Sequence, residues 1–401
     1  MTINDPLYGF IQIPRGVLID VVNHPYFQRL SRISQLGLAS FVYPGARHTR
    51  FLHSLGAFHL VSLALRTLAD KGQYLFDSEI EATQLAVLLH DVGHGPFSHV
   101  LEHTLTRGIS HEDISLLAMQ SMNNEMNGAL SLAIRIFGDE HPKHFLHQLV
   151  CSQLDVDRLD YLCRDSFYTG VHEGDIGSAR IIQMLNVHDD RLVVDAKGLF
   201  SVENYLMARR LMYWQVYLHK TTISAEHILR SALRRATLLA RQGTQLFASP
   251  SLRLFLYEDI GLPEFSTNPT LLPTFMQLDD SDIITALKAW QHHDDKVLSS
   301  LSTAFINRRL FKVREAQPGE EVTPELTTAI ARHYHISPDQ AREYFIGRVT
   351  IEKEMYSRTS EGIAILHKDG TVSEASTLSQ IVRTDHHGIH DHRSYIITPK
   401  I

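Results

Sequence analysis

The chain has 401 residues, a formal net charge of −7 with neutral histidines, and 44% hydrophobic residues. This composition provides for a large folded core and excludes a disordered chain. It also argues against a general nucleic-acid coat protein, which needs a basic surface, so we expect no nucleic-acid partner. A local basic pocket for a small anion remains compatible with it.

Helical patterns dominate the first 245 or so residues. An apolar helical pattern runs through "RFLHSLGAFHLVSLALRTLADKG" and stops at Gly72. Ser78 and Glu81 then stand at capping-box spacing before an apolar run that ends at His90. Ser110 is the expected cap of a further helix. Two longer helices are predicted over residues 143–167 and 201–243, the second interrupted near Thr221 and Thr222.

The pattern changes along the second half of the chain. A short hairpin with a Lys197-Gly198 turn is predicted within "RLVVDAKGLF", and a loop-rich segment follows Gly243. One more helix is expected over residues 280–291, and three strands follow from about Phe345. We therefore expect a mainly α fold, with a helical core at residues 1–245 and a smaller mixed α/β C-terminal lobe at residues 246–401.

The two cysteines indicate a reducing compartment. Cys151 and Cys163 lie twelve residues apart in one predicted helix, too far apart to bridge each other. Two reduced core thiols are therefore expected, as in the cytoplasm. No run of about 18 apolar residues and no signal-like N-terminus is present, so the sequence predicts a cytoplasmic protein with no membrane partner.

A concentration of metal-ligand side chains lies in "LLHDVGHGPFSH", residues 88–99. The pair His90 and Asp91 can offer an imidazole and a carboxylate to one cation. His53 in "RFLHS" and Asp157 in "DVDRLDY" can complete a set of two histidines and two aspartates, which suits Zn, Mn, Fe or Mg. Such a set requires three helices to converge, as they do in the core of a helical bundle.

A His-Asp pair at a helix end is by itself more often structural than functional. Here His94 and His99 follow within ten residues, around a Gly-Pro turn, and His111 lies at the start of the next predicted helix. A purely structural role leaves this accumulation of imidazoles around one turn without a reason. We therefore favour a metal centre with histidines beside it.

Together with "RFLHS" and "DVDRLDY", the segment "HDVGHGPFSH" resembles the HD-domain superfamily. More narrowly, it resembles the deoxynucleoside triphosphate triphosphohydrolases. The resemblance starts at "INDPLYGFIQI" and continues to "FINRRLFKV", about three quarters of the chain. It implies a helical HD-domain core and metal-dependent hydrolysis of deoxynucleoside triphosphates to a deoxynucleoside and inorganic triphosphate.

The resemblance also implies roles for individual residues. It assigns the metal ligands to His53, His90, Asp91 and Asp157. It assigns catalytic histidines to His94, His99 and His111, and either His94 or His111 would protonate the leaving 5′-oxygen. The resemblance implies substrate contacts at Arg50, Gln35 and Leu36. Helical spacing predicts further contacts on two helices, and the resemblance supports those of the second helix: Arg158, Tyr161, Asp165, Arg209, Tyr217 and Lys220.

The implied cofactor is one divalent ion per active site, from among Mn, Fe, Zn, Ni and Mg, with room for an additional Mg on the triphosphate. The implied partners are a nucleotide substrate and further copies of the chain, as a dimer or tetramer. Base preference stays open, because Leu218 replaces a polar residue of the family. The positions matching a guanine-reading activator site are Met1, Asn23, Gln28 and Ser31, of which only the glutamine is retained, so GTP activation of that type is not expected.

Two other functions stay open. The same metal site could serve an HD phosphohydrolase that acts on a nucleoside monophosphate, a cyclic nucleotide or another phosphoester. Alternatively, the chain could be a non-catalytic nucleotide sensor. A clamp of permanent cations for a polyphosphate favours the triphosphohydrolase over the first, and the complete ligand set disfavours the second. A second cluster, Asp385–His392, is expected to be a polar loop before a last strand.

Overall fold

The computed structural model of the protein describes residues 1–97, 100, 104–317, 319–356, 362–379 and 389–401. Helices dominate the first part of the chain: α1 (Val17–Asn23), α2 (Pro25–Gln28), α3 (Arg50–Asp70), α4 (Asp77–Leu89), α5 (His111–Glu125), α6 (Ser131–Phe137), α7 (His144–Val150), α8 (Val156–Thr169), α9 (Ser178–Met184), α10 (Leu199–Met212) and α11 (Lys220–Arg241). The remaining described helices are α12 (Pro250–Tyr257), α13 (Leu262–Thr267), α14 (Leu271–Phe275), α15 (Asp280–Trp290), α16 (Lys296–Ile306), α17 (Pro324–Tyr334), α18 (Pro338–Gln340) and α19 (Ala375–Leu378).

The strands form small sheets beside these helices. They are β1 (Thr2–Asp5), β2 (Gly9–Gln12), β3 (Leu185–His188), β4 (Arg191–Asp195), β5 (Lys312–Glu315), β6 (Gly347–Tyr356), β7 (Ala364–Leu366), β8 (Val372–Glu374) and β9 (Ile389–Thr398). Strands β1 and β2 form a hairpin, and β9 lies between β5 and β6 in an antiparallel sheet. The mainly α fold and the mixed C-terminal region are thereby confirmed.

Strand β4 connects the helical core to the C-terminal region. It pairs with β3 in an antiparallel hairpin and, on its other side, with β7 in parallel, and β8 extends the sheet beyond β7. Backbone hydrogen bonds therefore join the two predicted regions. One hydrophobic core also runs from Ile11 to Ile397. The division at residue 245 stays a prediction.

Helix α3 lies at the centre of the core and packs against both α4 and α8. Among the described residues it is the one helix that is long and apolar enough to cross a membrane by length and composition. However, 61% of its most apolar window is buried inside the protein. This burial is what a core helix requires, because its side chains meet neighbouring helices on most sides.

Several helix boundaries differ from the sequence prediction. Helix α4 begins at Asp77, and Glu79 rather than Glu81 accepts the Phe76 N–H, at 2.9 Å, so the predicted cap at Ser78 is wrong. The cap at Ser110 is confirmed, since its hydroxyl accepts from the Asp113 N–H at 3.1 Å. The predicted interruption near Thr221 lies earlier, because α10 passes into a π-helical turn at 213–217 and α11 starts at Lys220.

The predicted helix over residues 143–167 is divided into α7 and α8. The chain leaves the helical conformation at Cys151, and the Asp155 carboxylate then caps α8 by accepting the Arg158 N–H at 2.8 Å. Cys163 is buried, but Cys151 is exposed at the end of α7, so only one of the two predicted core thiols lies in the core.

The predicted hairpin is real, but its turn lies on the other side of β4. The turn residues are Asp189 and Asp190, whose φ values of 49° and 56° suit a tight hairpin turn between antiparallel strands. Lys197 and Gly198 instead form a short 3-10 turn that leads into α10. The predicted cluster at Asp385–His392 lies partly outside the described residues, and its last residues belong to β9.

Candidate functional site

Three helices of the core bring the four predicted metal ligands together. His53 lies in the first turn of α3, His90 and Asp91 follow the last residue of α4, and Asp157 lies in the first turn of α8. The packing of α3 against both α4 and α8 therefore closes the ligand set, although Asp157 is more than sixty positions from Asp91 in the sequence.

The ligand atoms surround a common point. Those of His53, His90 and Asp91 lie within 4.8 Å of one another. Asp157 Oδ1 is 3.0 Å from His53 Nε2 and 3.6 Å from His90 Nε2, and Asp91 Oδ1 is 3.3 Å from His90 Nε2. Ligands at metal distances of about 2.0–2.2 Å are themselves roughly 3 Å or more apart, so this spacing fits one cation.

Hydrogen bonds of the other ring nitrogens fix the orientation of both imidazoles. The His53 Nδ1–H donates to Asp160 Oδ2 at 2.8 Å, and the His90 Nδ1–H donates to the Val87 carbonyl at 2.6 Å. Both Nε2 atoms are buried, and each lies within 3.3 Å of a carboxylate oxygen, that of Asp157 for His53 and that of Asp91 for His90. Two buried imidazole nitrogens beside two carboxylates are the donor set that a divalent metal ion satisfies.

The charges of the site also fit a cation. Burial lowers the pKa of His53, but hydrogen bonds and charges from Asp157 and Asp160 raise it to about 10. Burial likewise lowers the pKa of His90, while Asp91 and Asp157 raise it to about 8. The site thus holds surplus negative charge, which protons neutralise when no metal is bound. A divalent ion replaces these protons when it binds.

The sequence analysis did not predict a role for Asp160. This residue accepts a hydrogen bond from the ring nitrogen of His53 that faces away from the metal centre. Its two oxygens accept from Arg164 Nε at 2.9 Å and Nη2 at 3.0 Å, in addition to His53, and Arg164 Nη1 continues to Asp5 Oδ2 at 2.8 Å. A Cβ on Gly56 would lie 2.0 Å from Asp160 Oδ1, so only glycine leaves room for this carboxylate against α3.

Replacing Asp160 with asparagine is expected to weaken metal binding about 10- to 100-fold, because an amide holds the His53 ring and its tautomer less firmly than a carboxylate. Titration of the metal-free protein with Mn²⁺, followed by calorimetry, measures this change. Asp139→Asn is a matched control, since Asp139 pairs with His144 at 2.6 Å on the surface. An unchanged Mn²⁺ affinity in Asp160→Asn would show that this carboxylate supports only the fold.

A cavity of about 450 Å³ opens beside Asp91 and Asp157. It is lined by both described catalytic candidates, His94 and His111. The predicted substrate contacts that line it are Gln35, Leu36, Arg50, Tyr161, Asp165 and Tyr217. The structure thus brings residues from six different segments, spread over 180 positions of the chain, to one cavity next to the metal centre.

The two histidines form a stacked pair in the wall of the cavity. Their ring centroids lie 3.9 Å apart with an angle of 12° between the planes, and His94 Nε2 is 3.3 Å from Asp91 Oδ1. A Cβ on Gly93 would lie 2.2 Å from the His111 carbonyl oxygen, so this glycine allows the stacking. Burial and then Arg50 hold the pKa of His94 well below its usual value, although Asp91 raises it. The third candidate, His99, lies outside the described residues.

Asp165 accepts a hydrogen bond from a protein donor at each of its two oxygens. His48 donates from Nε2 to one of its oxygens at 2.7 Å, and the Tyr217 hydroxyl donates to the other at 2.8 Å. The carboxylate therefore fixes the position of the Tyr217 ring in the cavity wall. His48, which the sequence prediction did not single out, stacks on Tyr168 with centroids 4.5 Å apart.

The predicted cations divide into two groups. Arg50 lies in the cavity wall with Nη1 2.5 Å from Asp91 Oδ2. Arg158 and Arg209 do not line the cavity: Arg158 Nη1 pairs with Asp155, Arg209 Nη1 donates to Gln153 Oε1 at 3.4 Å, and each keeps a buried Nε that finds no hydrogen-bond acceptor in the described ranges. Lys220 is exposed, with Nζ 5.7 Å from the centroid of the Tyr395 ring, and the structure does not bring it to the cavity.

Known proteins resemble the chain over its whole length. The HD domain model matches residues 50–165, and the HD associated region matches residues 176–248. The Bacillus subtilis protein YwfO is 33% identical over 405 residues, covering 95% of this chain and 90% of that protein. The crystal structure of a phosphohydrolase from Bacteroides thetaiotaomicron is 56% identical and covers 100% of both chains with a TM-score of 0.95.

A more distant relative is the deoxynucleoside triphosphate triphosphohydrolase SAMHD1 of Gallus gallus, at 28% identity over 277 residues. The alignment covers 58% of this chain and 45% of that protein. The helical core and its histidine–aspartate centre define a phosphohydrolase of the HD class. The chain belongs to the HD-domain family, and within it resembles the deoxynucleoside triphosphate triphosphohydrolases.

Proposed function

We propose that the protein hydrolyses deoxynucleoside triphosphates to a deoxynucleoside and inorganic triphosphate. The main support is a cavity beside the metal centre with guanidinium groups in and near its wall. Arg50 lines the cavity, and Arg158 and Arg209 interact electrostatically with Tyr161, which also lines it, and each keeps a buried Nε–H without a hydrogen bond to a described residue. Guanidinium groups bind phosphate oxygens through parallel hydrogen bonds, and a monoester substrate would require fewer of them.

Helix α8 runs along the cavity, so its helical rise gives the distances between the residues that line it. Asp157, Tyr161 and Asp165 occupy successive turns, which places them about 6 Å apart along the helix axis. Tyr161 and Tyr217 meet edge to face, with ring centroids 6.1 Å apart, beyond the metal end. Such aromatic walls suit the apolar face of a deoxyribose. The phosphates would then lie at Asp157 and the sugar near Tyr217.

The proposed reaction breaks the bond between the α-phosphorus and the 5′-oxygen. Water forms the new bond to phosphorus, and the leaving 5′-oxygen takes a proton. A bound divalent ion would polarise a phosphoryl oxygen and lower the pKa of water. His94, 3.3 Å from Asp91, is our proposed proton donor, with His111 stacked behind it. The negative charge of an arriving triphosphate favours the protonated imidazole.

Product analysis tests the proposal. The protein is incubated separately with each of the four deoxynucleoside triphosphates, with nucleoside monophosphates and with cyclic nucleotides, in the presence of Mn²⁺ or Mg²⁺, and the products are separated chromatographically. Deoxynucleoside together with inorganic triphosphate is expected. Turnover confined to nucleoside monophosphates or cyclic nucleotides would instead support the alternative phosphoesterase function. Binding of nucleotides without turnover under every metal would support the sensor.

Arg209 is expected to bind the substrate rather than to stabilise the fold. Arg209→Ala should raise KM for deoxynucleoside triphosphates about 10- to 100-fold, because charge-assisted hydrogen bonds to the polyphosphate are lost. Steady-state kinetics measure this, with Arg209→Lys restoring part of the affinity as a point charge. Arg210→Ala, one residue along the same helix, is the matched control. An equal rise of KM in both variants would contradict a specific contact.

The native metal and the assembly are also proposals. The ligand set of two histidines and two carboxylates suits Mn, Fe or Zn, with Ni and Mg as further options. On the family resemblance, we propose a cytoplasmic homo-oligomer, either a dimer or a tetramer.

A further inference from the structure

Two polar side chains on one face of α11 line the same cavity without a role in the chemistry above. They are Thr222 and Glu226, one helical turn apart. Thr222 is 3% exposed, and its Oγ1 is buried and makes no hydrogen bond to any described residue. A buried hydroxyl without a partner is rare, because its desolvation costs free energy that a hydrogen bond normally offsets.

Glu226 is half-buried and also lacks a hydrogen-bonding partner within the described ranges. Its carboxylate takes part in no hydrogen bond or ion pair among the described parts of the chain, and it borders the cavity. Burial raises the pKa of Glu226 to about 7, although Arg230, one turn further along α11, lowers it. The helix thus presents a hydroxyl and two carboxylate oxygens side by side, all lacking protein partners.

The proposed position of the phosphates at Asp157 leaves the α11 side of the cavity for the nucleobase. Asp157, at the metal centre, and Asp165 are separated by two turns of α8, about 12 Å. The Tyr217 hydroxyl donates to Asp165, and α11, which carries Thr222 and Glu226 in the wall of the same cavity, begins three residues after Tyr217. The 3-10 turn at 37–41 packs against α11 and adds the apolar Leu38 and Ala39 to this part of the wall.

We infer that Thr222 and Glu226 select a guanine base, with the Glu226 carboxylate accepting from guanine N1–H and N2–H and the Thr222 hydroxyl donating to guanine O6. This inference rests on the proposed function for the placement of the phosphates. Guanine alone among the four bases presents two adjacent donors on its Watson–Crick edge. A carboxylate presents two adjacent acceptors, so the patterns are complementary.

The other bases lack this complementarity. Adenine and cytosine each place a ring-nitrogen acceptor next to the amino group, and that acceptor would face a carboxylate oxygen. Thymine offers one N–H donor between two acceptors. Each of these bases would leave Glu226 incompletely paired in a desolvated position. A site built around hydrogen bonds discriminates strongly against such ligands, because its own buried groups remain unsatisfied.

Internal competition tests the inference. All four deoxynucleoside triphosphates are mixed at equal concentration with the full-length protein and Mn²⁺, and the depletion of each is followed. The ratios report relative kcat/KM and do not depend on how much of a variant is folded. We expect dGTP to be consumed about 10- to 100-fold faster than each competitor. Glu226→Gln should bring the ratios to within about threefold of unity, and Thr222→Val should lower the dGTP preference several-fold.

Thr237→Val is the matched control, since Thr237 also has a buried, unpartnered hydroxyl on α11 but lines a different cavity. It should leave every ratio unchanged. Equal depletion of the four nucleotides by the wild type, or an intact dGTP preference in Glu226→Gln, would overturn the inference. If no nucleotide is consumed, the proposed function fails. The selection of the base is then tested separately by measuring the equilibrium binding of dGTP and dATP. Tighter dGTP binding that depends on Glu226 supports base selection, and equal affinities overturn it.

Discussion

Asp91→Ala is expected to reduce triphosphate release at least about 1000-fold and to remove the bound metal. The carboxylate lies within reach of His90, His94 and Arg50 at once, at 3.3, 3.3 and 2.5 Å. Its loss deprives the cation of a charged ligand, and a catalytic metal supplies several kcal/mol of transition-state stabilisation. Metal analysis of the purified variant and the rate of deoxynucleoside formation measure both effects.

Loss of Asp91 also leaves the buried Arg50 without its carboxylate, so the folded state must be checked. Circular dichroism and thermal unfolding serve this purpose. Asp91→Asn, which keeps the shape and loses the charge, should lose the metal with a smaller change in stability. Asp139→Ala, in a surface pair with His144, should leave rate and metal content unchanged. Full activity of Asp91→Asn with no bound metal would refute a metal-dependent reaction.

His94→Ala is expected to lower kcat about 100- to 10,000-fold while the metal content stays unchanged, because His94 is a proton donor and not a ligand in this account. A p-nitrophenyl phosphodiester offers a direct check. Its leaving group needs no proton, so the variant should lose much less activity on this ester than on a deoxynucleoside triphosphate.

His111 stacks on His94, so the effects of replacing each of the two histidines can be compared. His111→Ala should have the smaller effect, since His94 is the histidine next to Asp91. A larger loss in His111→Ala than in His94→Ala would reverse the assignment. An equal loss on both substrates in His94→Ala would show that His94 does not act by protonating the leaving group.

The convergence of the four predicted metal ligands was predictable because each lies in a short segment of unusual composition. The His90-Asp91 pair ends an apolar helical run, and a cation provides a reason for polar side chains there. Asp160 was not predictable in the same way. It is one of three aspartates at residues 155–160, and sequence alone does not show that one caps α8, one faces the metal and one faces His53.

Contacts between segments that are distant in the sequence were also not predictable, because they depend on how the helices are oriented in the fold. Lys220 stands at helical spacing from Arg209, but the helix is broken by the π-helical turn at 213–217, which changes the direction of the side chains after it. The resulting rotation places Lys220 near Tyr395 and Thr222 at the cavity. A helical periodicity argument fails across such a break.

The fold class was predictable from hydrophobic periodicity, whereas the sheet connection was not. The sequence predicted one strand over residues 362–372 in a separate lobe, but this segment holds β7, which pairs with β4 from the helical core, about 170 residues earlier in the chain. Pairing partners depend on tertiary packing and leave little signal in a single short strand.

Hydrolysis in water enriched with ¹⁸O shows which bond of the triphosphate is broken. We expect unlabelled deoxynucleoside and intact inorganic triphosphate that carries one ¹⁸O atom, since water attacks the α-phosphorus and the bond to the 5′-oxygen breaks. Mass spectrometry of the two products reads this out in one reaction. Label in pyrophosphate or orthophosphate, with deoxynucleoside mono- or diphosphate as the other product, would contradict the account.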